Sequence, residues 1–159
     1  MKKGFTLIEL LIVITIIGIL AVAFLPSLMG APAKARDAQR TADVGKIAAV
    51  LTNSTISGTV VEDGCTNDNS VVPALVAADF GGKIPVDPVV DNAVGTCSTG
   101  YAVVTDTSDP KVYNFGVFAH LEVAGQGNVE CTDGAIADPI GGITLGKGDG
   151  FDCYAVLIQ

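Results

Sequence analysis

One unbroken apolar run constrains this chain more than any other feature. Between Phe5 and Leu25 fifteen residues are Leu, Ile, Val or Phe, and Glu9 is the only charge among them. On an insertion scale each apolar residue contributes about −0.3 to −0.6 kcal/mol near a bilayer centre. The run therefore gains roughly 4.5 to 9 kcal/mol, against about 2.5 to 3.5 for one central carboxylate. At about 1.5 Å per helical residue its length matches a hydrocarbon core of about 30 Å. The segment is expected to insert despite Glu9. Lys2 and Lys3 precede it as a short basic leader.

The rest of the chain has a different character. From Val60 onward three lysines (Lys83, Lys111, Lys147) face fourteen Asp and Glu. Such a surface repels phosphate backbones, so no direct nucleic-acid binding is expected from the head. Lys34, Arg36, Arg40 and Lys46 follow the apolar run and alternate with Asp37 and Asp43, the pattern of a helix face making ion pairs. Cys65, Cys97, Cys131 and Cys153 contain no C-x-x-C pair, which argues against zinc and, outside the cytoplasm, for two disulfides. Three connectivities exist. Cys65–Cys97 with Cys131–Cys153 is preferred because local loops close most readily.

Ala33 to about Thr55 reads as an amphipathic helix, with Ala35, Ala38, Ala42, Gly45, Ala48 and Leu51 recurring at three- and four-residue steps as a close-packing face. Ser57-Gly58 marks its end. Beyond it, turn-forming clusters separate short runs, with candidate strands at Tyr101–Thr105, Lys111–Val123 and Cys153–Ile158. In the second, Tyr113, Phe115, Val117, Ala119, Leu121 and Val123 alternate and should face the helix. Asn114, Gly116, His120 and Glu122 take the opposite, solvated face. His120 is read there as a surface residue and not a catalytic base. No nucleophile or phosphate-binding loop is placed with it, so no enzyme is expected.

Lys3-Gly4-Phe5-Thr6-Leu7-Ile8-Glu9-Leu10-Leu11 resembles the class III signal of bacterial type IV pilins and type II secretion pseudopilins. The resemblance implies cleavage by prepilin peptidase between Gly4 and Phe5, N-methylation of Phe5, and pairing of the Glu9 carboxylate with a neighbouring subunit's terminal amine during assembly. It gives Gly18 and Pro26 as helix-weakening positions. It further implies an inner-membrane precursor that becomes an extracellular or periplasmic filament of identical or similar subunits.

The implied fold is α+β: a long N-terminal helix, transmembrane in its first half, packed on a small antiparallel sheet in a pilin-like arrangement. Its segments are a leader (1–4), a transmembrane and assembly helix (5–30), an amphipathic helix (31–57) and a disulfide-stapled β head (58–159). A pilus subunit for adhesion, motility or DNA uptake is the leading function, and a secretion pseudopilin the alternative. Pro85-Val86-Asp87-Pro88 resembles the segment before the sheet in major pseudopilins, although Val89-Val90 stands where Trp-Gly is expected. Gly146 to Asp152 resembles the acidic calcium loop of some pseudopilins. Asp149 and Asp152 are its weak calcium candidates, and no other cofactor is expected. A secreted ligand-binding domain cut after Ala31-Pro32-Ala33 is the least favoured reading. It requires a run longer than a usual h-region, Glu9 within it, and Pro beside the cleavage residue.

Overall fold

A computed structural model describes residues 4–66, 77–89, 94, 97, 100–105, 115–131 and 152–158. It comprises helices α1 (Leu7–Met29) and α2 (Ala31–Ile56) and strands β1 (Gly64–Cys65), β2 (Ala102–Thr105), β3 (Phe115–His120) and β4 (Cys153–Ile158). A short 3-10 turn covers Ala77–Phe80. Two compact units result, one ending at Ala35 and the other starting at Arg36.

In the first unit, α1 exposes its apolar side chains along its whole length, from Leu7 through Ile14 to Phe24. Among the described residues no core covers them, and Leu7–Leu25 is long and apolar enough to cross a membrane. Its hydroxyls are satisfied internally: Thr15 donates to the Ile12 carbonyl at 2.7 Å and Ser27 to that of Phe24 at 2.8 Å. That suits a solvent offering no hydrogen bonds. The helix runs through both Gly18 and Pro26 and ends at Gly30. The next helix starts at Ala31, two residues before the expected Ala33. Pro32 fits its first turn because an N–H there would have no intrahelical partner.

At its far end α2 closes as Ser57-Gly58 suggests. The Thr59 N–H donates to the Ser54 carbonyl and the Gly58 N–H to that of Thr55, both at 3.0 Å, with Gly58 at φ +86°. This six-to-one and five-to-two pattern needs a left-handed residue, which glycine supplies at least cost.

The sheet of the second unit is antiparallel throughout, in the order β1-β2-β3-β4. The third candidate strand coincides with β4. The second is shorter than expected: it ends at His120, and Lys111, Tyr113 and Asn114 lie outside the described residues. On one face Val44, Ile47, Ala48 and Leu51 of α2 pack on Tyr101, Val103, Phe115, Val117 and Ala119. Phe115, Val117 and Ala119 belong to the expected inward set, whose Leu121 and Val123 lie beyond the end of β3.

Two expectations fail. The opposite face of β3 is not solvated, because Phe118 is fully buried there in a second core with Val94, Cys97, Ala102, Val129, Cys131, Cys153 and Ala155. His120, at the end of β3 opposite Cys153, is half-buried. The packing stripe of α2 also differs. Asp37, Arg40, Asp43, Val44, Ile47, Ala48 and Leu51 are buried, while Ala35, Ala38, Ala42 and Gly45 are exposed. Larger side chains reach the sheet and bury more area per residue than alanines would.

Disulfides join Cys65 to Cys97 and Cys131 to Cys153. The first ties β1 to the Val94–Cys97 bridge, the second ties β4 to the segment after Val129. Asn128 guards the outer edge of β4: its amide nitrogen donates to the Ala155 carbonyl at 2.8 Å, and its amide oxygen accepts from the Ala155 N–H at 2.7 Å. A side chain thus stands in for a neighbouring strand and blunts the edge.

Candidate functional site

The N-terminal site begins with Gly4 and Phe5, which precede α1, and Phe5 is 82 % exposed. Nothing lies within 4 Å of where a Gly4 side chain would start. The fold itself therefore does not require glycine at this position. Thr6 then caps α1. Its hydroxyl oxygen accepts from the Glu9 N–H at 3.4 Å, and the Glu9 carboxylate accepts from the Thr6 N–H at 2.9 Å and the Thr6 hydroxyl at 2.6 Å. This reciprocal box satisfies helix-end donors and the carboxylate together. The Thr-x-x-Glu spacing signals it in the sequence, and the reading of Glu9 as an intersubunit partner passes over it. In the single chain, Glu9 already holds local donors.

A second polar site lies within the second unit. Arg40 has no solvent exposure. Its Nε and Nη2 donate to Asp87 Oδ2 and Oδ1 at 2.7 and 2.9 Å, and Nη1 lies 2.7 Å from both Asp37 Oδ1 and Glu122 Oε1. Arg36 grips Glu122 from the exposed side with Nε and Nη2. Asp37 also accepts the Glu122 and Val123 N–H groups at 2.9 and 3.0 Å, and Asp87 accepts that of Val89 at 2.8 Å. Three carboxylates and two guanidiniums therefore fasten three segments: α2, the Pro85–Pro88 loop and the exit from β3. Fixed donors surround the carboxylates, and such a geometry clamps.

The electrostatics follow. The hydrogen bond from Arg36, aided by Arg40 and opposed by desolvation, lowers the Glu122 pKa to about 2. Its hydrogen bond to Glu122 also raises that of Arg36. Burial pulls down the Arg40 value, but Asp87, Glu122 and Asp37 more than reverse it. Beside the cluster Tyr101 donates to Asp43 Oδ2 at 3.2 Å, and burial followed by the Asp43 charge pushes the phenol up. Lys46 reaches the other Asp43 oxygen at 3.1 Å.

The ion pairs Asp37–Arg40 and Asp43–Lys46 are those that the alternating charges of α2 suggest. The charge pattern of α2 announces neither the burial of Arg40 nor its link to Asp87. One signal was present: Arg40 falls in the same stripe as Val44, Ile47 and Leu51, where a charge implies a buried partner.

Of the calcium candidates, Asp149 lies outside the described residues, while Asp152 accepts the Gly125 N–H at 2.9 Å and so fixes a turn. Among the described residues no group of three or more His, Cys, Asp or Glu could hold a metal ion.

An exposed apolar helix of membrane-spanning length and a disulfide-stapled α+β unit together define a pilin-like arrangement. Residues 1–25 match the prokaryotic N-terminal methylation motif, the class III signal of type IV pilins and pseudopilins. No solved structure matches the chain.

Proposed function

We propose that this chain is a structural subunit of a type IV pilus-like filament. The match of residues 1–25 to the methylation motif carries the reading, and it indicates a pilin or pseudopilin type of protein. Prepilin peptidase would cut between Gly4 and Phe5 and methylate Phe5. The product waits in the inner membrane on Leu7–Leu25, then joins an extracellular filament of its own copies. Lipid is already apolar, so assembly gains from helix packing and charge pairing rather than from leaving water. Glu9 supplies the charge by exchanging its local Thr6 donors for a neighbour's terminal amine. Gly18 and Pro26 allow α1 to loosen locally as it packs. Adhesion, motility and DNA uptake are the roles such a filament serves. A head clamped by buried ion pairs and two disulfides suits mechanical load. The Pro85–Pro88 segment supports the second reading, a secretion pseudopilin.

Intact mass and N-terminal sequencing of the protein from its own host, with electron microscopy of sheared material, test the proposal. N-methylated Phe5 at the terminus and filaments lost in Glu9→Ala are expected. A chain starting near Lys34 would instead mark a conventionally secreted domain. Filaments too short to leave the periplasm would favour the pseudopilin.

A further inference from the structure

Between α2 and the Phe80–Val86 segment runs an open groove of about 640 Å³, with Val50, Phe80, Ile84 and Val86 half-buried along it. Lys46 and Lys83 stand exposed on its rim, and Asp79 shares that rim. Their position matters because of the charge around them. From Arg36 onward the chain carries six Lys or Arg against sixteen Asp or Glu. Arg36 and Arg40 are committed to Glu122, Asp37 and Asp87. Lys46 and Lys83 are the lysines among the described residues of this unit, and both lie on this one groove. The side chain of Lys46 remains 64 % exposed despite its contact with Asp43.

We propose that this groove seats an acidic, apolar-tipped surface of the next copy's head when the filament assembles, with Lys46 and Lys83 as its charge clamps. The inference rests on the filament reading above. Copies with such an excess of carboxylates repel at short range, so a head-to-head contact has to set cations against anions. The half-buried apolar floor supplies the area, and the two ammonium groups set the partner and its register.

The test uses the full chain in its host, with a benzophenone amino acid in place of Ala49, an exposed position lining the groove. Irradiated filaments should give an adduct between two copies, mapped to an acidic head segment of the second. The variant K46E/K83E should lower adduct and filament yield at least about tenfold, and K46Q/K83Q by less, since reversing charge adds repulsion to the lost attraction. Intact mass showing both disulfides and a methylated Phe5 controls for folding and processing. Wild-type filaments together with undiminished K46E/K83E filaments, no adduct, or an adduct to a different protein overturn the groove alone. A processed wild-type chain that makes no filaments overturns the filament reading, and the groove with it.

Discussion

Arg40 and Asp87 lie 47 residues apart and meet through two hydrogen bonds, at 2.7 and 2.9 Å, with neither side chain more than 2 % exposed. The pair gives the Pro85-Val86-Asp87-Pro88 segment a physical role. Two prolines restrict the backbone, Asp87 holds the Val89 N–H, and its carboxylate latches the loop to α2.

Removing the guanidinium would take the Arg40 charge from Asp37 and Asp87 and leave Glu122 with Arg36 alone. Arg40→Leu should cost about 3 to 5 kcal/mol. Chemical denaturation of the detergent-solubilised chain should show it as a lower midpoint. Because the pair is coupled, R40L/D87L should lose less than the sum of R40L and D87L.

Acid should act through Glu122. Its folded pKa, about 2, lies below the ordinary value of 4.5, so the folded state favours the carboxylate. The resulting stability is fully present above about pH 5 and is lost as pH falls from about 4.5 toward 2. A pH series of denaturation midpoints should fall through that window, and Glu122→Gln should flatten part of the fall. Its side chain keeps 23 % exposure, so solvent screening moderates the effect.

The two disulfides close loops of 32 and 22 residues. Chain entropy puts each at about 3 to 4 kcal/mol. Cys131→Ser/Cys153→Ser should nonetheless cost more than Cys65→Ser/Cys97→Ser, because it places two buried hydroxyls in the second core beside Phe118, where the other pair places one at Cys97 and a second at the half-buried Cys65. Thermal melts of the two double variants give the comparison.

Gly116 sits in β3 where a Cβ would come within 2.6 Å of the Phe118 ring and 2.7 Å of Leu157 Cδ2. Phe118 is fully buried and has little room to yield. Gly116→Ala should therefore destabilise the head by about 1 to 3 kcal/mol. Gly45→Ala on the exposed helix face, where nothing lies within 4 Å, should stabilise by up to about 1 kcal/mol. The two melts should shift in opposite directions.

Features that depend on neighbours along the chain were legible without coordinates. The membrane-length helix follows from composition over Leu7–Leu25, the helix stop at Ser57-Gly58 from local turn chemistry, and the inward face of β3 from alternation at Phe115, Val117 and Ala119. Each is set by interactions a few residues apart, or by the solvent such a segment prefers.

Distant contacts were decided only by the tertiary structure. Of the expected face of α2, Ala48 and Leu51 are buried, while Ala35, Ala38, Ala42 and Gly45 give way to a stripe containing Arg40, Val44 and Ile47. Nothing near Arg40 in sequence announces Asp87 or Glu122. A guanidinium can be buried only where several carboxylates converge on its fork, and that convergence exists once α2, the Pro85–Pro88 loop and the end of β3 have been brought together by packing.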